Sequence, residues 1–449
     1  MDVGKITTMK STNTNTFLYS VLIILTCQMQ LVAADTTSVQ KVQGLSNELS
    51  NYTSFEQADH IIEKFLRKWS LTGASVAIVK DDRLIYAKGL GYADKEKKIL
   101  ATPTHSFRVA SISKLITAIA IMKLAEDGSI SIDDHVFGKT GILNTAPYTG
   151  YTDKRFNDIT VRHLLIHEGG WHSKYGDQMF MPHYIARFMG EKLPISDETI
   201  IRFALKKGLH YTPGSASSYS NLGYCILGKI IEKVSGMPYS EYVQRQILEP
   251  LNIYGMHITS NRFANKKPHE AKFYDAPGAP TRLSVYSSSV YAPRTYEGTD
   301  FEALGAAGGW SASAAQLMRL LTAVDGHAII EDILSCNSID TMTYLENPDK
   351  FGFGWMHSDN MGNWWRTGTL SGTSAFMMRR CDGISFAFIT NTSTNRGAKF
   401  AYDIKEMMTE AIDSINWWPN EDLFPYLENS EISFIQDSIH KTPVELKID

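Results

Sequence analysis

Ser111-Ile-Ser-Lys114 places a hydroxyl and an amine three residues apart, and the run that follows, Leu115 to Met122, carries no charge. A helix apolar on nearly all sides is buried. The spacing therefore predicts Lys114 in poor solvent near that helix's N-terminus, on the same face as Ser111. Desolvation disfavours an ammonium and lowers a lysine pKa. Such an amine suits a base that takes a proton from a neighbouring hydroxyl, and a helix N-terminus favours developing negative charge on the serine. The same residues also fit a plainer role, with Ser111 or Ser113 as the N-cap and Lys114 snorkelling to water.

Two further segments carry groups of the right kind. Tyr219-Ser-Asn221 follows the turn-rich Thr212-Pro-Gly-Ser-Ala-Ser-Ser218 and precedes a helical run, which puts a phenol and a carboxamide on a loop at an element end. Trp365-Arg366-Thr367-Gly368-Thr369 reads as a strand, with Gly368 allowing a substrate to approach the backbone. Alternation on that strand lets only one of Trp364 and Trp365 face a cleft. His163 and His167, with His172 and Asp177 nearby, have metal-ligand side chains. Their order is not the His-Glu-x-x-His of a zinc helix, and the reading assigns neither a metal nor any cofactor.

The elements that must hold these groups can be read on both sides of them. Ser54-Phe-Glu-Gln57 resembles a capping box, and Phe55, Ala58, Ile61, Ile62, Phe65, Leu66 and Trp69 follow at helical spacing, predicting a helix over 55–69. Ala74–Lys80 and Arg83–Lys88 read as a hairpin joined by Asp81-Asp82. Near the far end, Asn363–Thr369, Ser374–Arg380 and Ile384–Thr390 read as three strands, the last two turned by Asp382-Gly383. A helical stripe of Phe400, Ile404, Met407, Met408, Ala411 and Ile415 follows. Neither end can stand alone. Together they predict an α+β fold: one five-stranded antiparallel sheet flanked by the N- and C-terminal helices. Residues 55–125 and 301–415 would build that half, and residues 126–300, rich in helix signals such as 222–235, an inserted mainly helical lobe. The tail 416–449 shows no period.

Composition and charge narrow the function classes. Of 449 residues 43% are hydrophobic, and 44 Lys and Arg stand against 48 Asp and Glu, a net charge of −4 that leaves no electrostatic footprint for nucleic acid. Residues 1–34 place Lys5 and Lys10 before the apolar run Phe17–Cys27 and end in Val32-Ala-Ala34, the order of a signal peptide. The expected localisation is thus secreted or within the secretory-pathway lumen, with no membrane association once the leader is removed. Asn51-Tyr-Thr53 is the preferred glycosylation sequon and Asn391-Thr-Ser393 the weaker one. Beyond the leader stand Cys225, Cys336 and Cys381. They are read as free thiols, with Cys336–Cys381 the one pairing to test.

The three motifs, in this order, resemble the serine β-lactamase and penicillin-binding protein superfamily. The resemblance is greatest to the branch with Tyr-x-Asn in the middle: class C β-lactamases, D-alanyl carboxypeptidases, D-aminopeptidases, esterases and animal β-lactamase-like proteins. It extends over about residues 55–415, through Thr72–Val79, Phe107–Lys114, His163–His167, Gly223–Gly228, Pro250-Leu251 and Ala307–Trp310. The resemblance implies a β-lactamase/transpeptidase-like fold, with Ser111 as nucleophile and Lys114 as its activator. It implies Tyr219 as a second proton-transfer group, Asn221 orienting Lys114 and substrate, and an oxyanion hole from the Ser111 and Thr369 amides. Arg366, Thr367, Gly368 and Thr369 would bind substrate. Arg366 departs from the usual Lys or His. It cannot shuttle a proton, so it is expected either to hold an anionic substrate group or to tune Tyr219. The expected partner is a small-molecule or peptide ester or amide. A catalytically silent protein that binds or self-assembles is the alternative.

Overall fold

The computed structural model describes residues 43–440 apart from Ala328 and Pro348, so the leader segment 1–34 lies outside the described residues. The β-rich runs form the strands β1 (Gly73–Lys80), β2 (Arg83–Asp94), β3 (Ile99–Leu100), β4 (His357–Ser358), β5 (Trp364–Leu370), β6 (Thr373–Arg379) and β7 (Ile384–Thr390). They make one antiparallel sheet in the order β3-β2-β1-β7-β6-β5-β4. The sheet has seven strands rather than the expected five, because the edge strands β3 and β4 are two residues long and carry no alternation to read. Asp81 and Asp82 turn the first hairpin with φ of 48° and 59°, a conformation that Asp tolerates better than most residues. The two chain ends meet in the pair β1–β7, with Val76 opposite Phe388 and Ala77 opposite Ala387.

Alternate side chains of that sheet feed two cores. Val76, Ile78, Phe376, Phe386 and Phe388 pack under α1 (Glu56–Trp69) and the helix Phe400–Asp413. Ala77, Val79, Ala375 and Ala387 face the other way, onto a core shared with α2 (Ser113–Glu126), α3 (Asn221–Ser235) and α4 (Ala314–Leu321). The helix Phe400–Asp413 is α5. The described residues from Gly44 to His440 form one compact unit. The sheet half and the inserted segment share a core and are not separate bodies. The insertion is helical only to about residue 251; beyond that it is largely irregular, with short paired strands.

Three local expectations change. Ser54 caps nothing: a 3-10 turn at Thr53–Phe55 precedes α1, and the buried Ser54 hydroxyl has no partner. The tail is partly ordered into α6 (Phe424–His440). Leu423, Phe424 and Leu427 enter the core, and the buried Glu431 carboxylate accepts from the Tyr254 and Gly255 amides and from Gln316 Nε2. Cys225 is buried, whereas Cys336 and Cys381 are exposed and unpaired. Asn51 is exposed. Asn391 is fully buried and donates to the Tyr92 and Lys272 carbonyls, which removes it as a glycosylation site in the folded chain. No described helix is long and apolar enough to cross a membrane.

Candidate active site

Ser111 sits in a 3-10 turn, Ala110–Ile112, that leads into α2. Ala110 before it holds φ of 48°, an uncommon conformation for a residue with a Cβ. From Ser106 to Met122 every residue except Ser111 is buried, so the turn presents that one hydroxyl. Neither serine caps the helix. Ser113 Oγ instead accepts from the Trp310 amide, 3.1 Å. Lys114 does not snorkel; it is 0% exposed.

The Lys114 ammonium donates to Asn221 Oδ1 at 2.6 Å, to the Ala307 carbonyl at 2.5 Å and to Ser111 Oγ at 3.3 Å. Burial pulls its pKa down to about 8, opposed by Tyr219 and assisted by Arg366. Ser220 between the two motif residues caps α3 by accepting from the Gly223 amide, leaving Tyr219 just before the helix and Asn221 on its first turn. Tyr219 Oη donates to Ser111 Oγ at 2.7 Å and accepts from Arg366 Nη2 at 2.9 Å. Burial alone would raise the phenol's pKa. The Lys114 and Arg366 charges and hydrogen bonding with Lys114 and Ser111 outweigh it, so Tyr219 titrates below its usual range.

Arg366 is fully buried on β5, and its Nε donates to the Ser111 carbonyl at 2.8 Å. With Nη2 on Tyr219, two of its donors are committed inside the protein, which favours the tuning role over a carboxylate clamp. Nη1 is buried without a partner. Gly368 has a different reason from the one expected: a Cβ there would lie 2.1 Å from the Val109 carbonyl. Glycine thus lets β5 press against the serine turn of its own chain. Thr367 and Thr369 point to the other side of the strand and are half-exposed. Of the tryptophans, Trp364 lines a cavity of about 990 Å³ with Phe351, Glu168 and Lys350. Trp365 packs on the opposite face against His357 and Lys405.

Sequence reasoning missed the groups that hold this cluster. Asp177 Oδ2 accepts from Asn221 Nδ2 at 2.6 Å and so fixes which way the carboxamide points, oxygen toward Lys114. His167, with φ of 63°, is buried. Its Nδ1 accepts from the Ser220 amide at 3.1 Å, and its ring lies 4.6 Å from that of Tyr219. Burial, with Arg366 and Lys114 nearby, holds it neutral, well below the usual histidine range. Both residues lie in the stretch that the histidine spacing had singled out, but for ligands rather than supports. His163 is spent on a capping box with Thr160.

Among the described residues the one group with metal-ligand geometry is elsewhere: Asp82, Asp325 and His327. Arg379 Nη2 donates to His327 Nε2, which leaves the imidazole proton on Nδ1, toward Asp82 Oδ1 at 3.1 Å. A nitrogen carrying that proton is not free to ligate.

This chain matches known proteins over the same region. The Beta-lactamase family model covers residues 58–405. Protein flp of Staphylococcus aureus (strain N315) is 31% identical over 252 residues, 56% of this chain and 47% of flp. Penicillin-binding protein 4* of Bacillus subtilis (strain 168) is 27% identical over 244 residues, 54% of this chain and 48% of that protein. The chain thus spans about half the length of these curated relatives. The octameric penicillin-binding protein homologue from Pyrococcus abyssi superposes with a TM-score of 0.60 at 26% identity, covering 79% of this chain and 76% of that one. The D-amino acid amidase from Ochrobactrum anthropi SV3 shares the fold, with a TM-score of 0.62 at 21% identity over 81% of this chain and 99% of the amidase. With the family match extending over most of the chain and the sheet, serine turn and three motifs disposed as described, the chain belongs to the Beta-lactamase family.

Proposed function

We propose that this chain is a secreted serine hydrolase that cleaves an ester or amide through a Ser111 acyl-enzyme. One observation carries the reading: Ser111 Oγ receives hydrogen bonds from both groups able to take its proton, Tyr219 Oη and Lys114 Nζ. In the working state, Tyr219 as phenolate or Lys114 as free amine accepts the Ser111 proton while Oγ attacks the carbonyl carbon. The resulting oxyanion is met by the Ser111 and Thr369 amides, each such donor worth about 3 kcal/mol. Collapse breaks the bond to the leaving group, which takes that proton from the base. A water then gives its proton to the same base and attacks the acyl carbon, and the second collapse breaks the bond to Ser111 Oγ, which takes that proton back. Arg366 keeps Tyr219 acidic enough to serve both steps, as the serine–base pairing of other acyl hydrolases requires.

Secretion rests on the charged, apolar and small-residue order of residues 1–34. The partner is a small molecule or peptide, not nucleic acid, and not a membrane once the leader is gone. The test is mass spectrometry of folded protein treated with a fluorophosphonate or a penicillin. An adduct on Ser111, absent from Ser111→Ala, is expected. A folded protein that gives none overturns hydrolysis in favour of a silent binding or self-assembling member. A panel of short-chain esters, D-amino-acid amides, dipeptides and nitrocefin then sorts the substrate.

A further inference from the structure

The Ala307 carbonyl that receives the Lys114 ammonium belongs to an interrupted helix. That helix, Phe301–Gly308, breaks at Gly305, where φ is 11° and ψ is −94°. The Trp310 amide, four residues after Ala306, would close a helical turn onto the Ala306 carbonyl. It donates instead to Ser113 Oγ, beside Lys114 in the serine motif. The Ala306 carbonyl is taken by Thr117 Oγ1 at 2.6 Å. Thr117 stands three residues after Lys114 on α2, hence on the same face. Two side chains one turn apart thus hold two successive carbonyls of the broken helix.

The direction of the bonds behind Thr117 follows from what each group can give. A hydroxyl has one proton to donate, a carbonyl only accepts and an indole N–H only donates. The nearest acceptors of the Thr117 proton are two carbonyls, Ala306 at 2.6 Å and Ser113 at 3.2 Å. Its contact with Tyr239 Oη at 2.7 Å must then carry the tyrosine's proton. Tyr239 Oη in turn accepts from Trp310 Nε1 at 3.0 Å. Burial pushes the Tyr239 phenol up to about 12, so it keeps the proton it donates. The bonds therefore run one way, from Trp310 through Tyr239 and Thr117 to Ala306, and each member of such a chain strengthens the next. All three side chains are buried, so no bulk water competes for these bonds.

We infer that Thr117 and Tyr239 are positioning residues: they hold the 306–307 peptide so that the Ala307 carbonyl keeps the Lys114 nitrogen within reach of Ser111. Only the role of Lys114 as a base rests on the proposed hydrolysis; the hold on its nitrogen does not. Two measurements on the full-length protein keep these apart. The first follows Lys114 by NMR in the Ser111→Ala background with isotope-labelled lysine, its resonance assigned by loss in Lys114→Met. An acceptor fixed on the ammonium favours the charged form. Thr117→Val should therefore move the Lys114 titration to lower pH, and Tyr239→Phe should move it less in the same direction. Thr117→Ser, which keeps the hydroxyl, should leave it at the parent position. The second measurement is kinetic, with Ser111 in place and a neutral short-chain ester. Thr117→Val should lower kcat about tenfold and Tyr239→Phe about threefold, with KM little changed. The acid limb should follow the NMR titration, and Thr117→Ser should retain kcat. Should Thr117→Val fail to fold, Tyr239→Phe, which removes one oxygen and keeps the ring, carries both readings. A Lys114 titration that stays put in the folded variants, or a kcat loss that Thr117→Ser shares, overturns the inference. A shifted titration in a protein whose Ser111 gives no adduct breaks the hydrolase reading and leaves the positioning role standing.

Discussion

Arg108 and Arg366 are both 0% exposed, yet the regions around them are built to opposite ends. Arg108 joins the serine segment to the insertion. It donates to Thr259 Oγ1, the Thr295 carbonyl and the Ser260 carbonyl, and its guanidinium lies 4.0 Å from the Phe273 ring centroid and 3.7 Å from that of Phe301. Burial lowers its pKa to about 10, and Glu270 works against that. Every direction around it is filled by protein. Arg366 instead spends its donors on the backbone of Ser111 and the phenol of Tyr219, with Nη1 left over. A buried cation is thus not in itself a sign of chemistry. What separates the two is whether the donors end on inert carbonyls and rings or on an atom that must change protonation state.

The comparison can be broken at three points. Arg108→Met should be the largest effect, about 3–5 kcal/mol of stability, because the Thr295 and Ser260 carbonyls stay buried without a donor. Denaturant melts would register it, while kcat/KM per folded molecule toward a neutral ester should fall less than for Arg366→Gln. A fall that exceeds it would erase the distinction. Arg366→Gln should lower kcat/KM about 100-fold, equivalent to about 2.7 kcal/mol of transition-state stabilisation. Its sharper readout is the pH profile. The Arg366 charge lowers both the Tyr219 and the Lys114 pKa, so its removal raises both, and the acid limb of kcat/KM should move to higher pH. A limb that stays put would mean that Arg366 does not tune the base. The smallest effect is expected at His167. His167→Leu should reduce kcat about tenfold with KM little changed, about 1.4 kcal/mol. His167→Asn, which tolerates positive φ and keeps an acceptor for the Ser220 amide, should recover most of it. Since His167 stays neutral, neither variant should move the acid limb; a moved limb would make it a proton-transfer group and not a support.

The difference between these regions also marks what could be read from residue order. Ser111, Lys114, Tyr219, Asn221 and Arg366 stood out because each brings a reactive or charged group into an apolar run or an element end, a contrast visible in one dimension. The five long strands were legible through alternation and turn residues, Asp382-Gly383 among them, although the loop there includes Cys381 as well, with Arg379 opposite Ser385. Asp177 and His167 were not legible as supports, since a carboxylate that orients an amide has no spacing of its own. Gly368 was read as room for a ligand when its neighbour is Val109.

The pairing of β1 with β7 has a consequence for how the molecule is made. Its flanking bond from the Thr72 amide to Thr392 Oγ1 spans 320 residues of chain. At about 5–20 residues per second of synthesis, β1 and its hairpin wait roughly 15–60 seconds before the strand that completes the sheet exists. During that interval one edge of β1 stands open, and open edges recruit other strands. Long sequence separation also slows folding once synthesis ends. The nascent chain is therefore most vulnerable to aggregation while the serine turn, already translated, still lacks the β5 strand against which Gly368 will seat it.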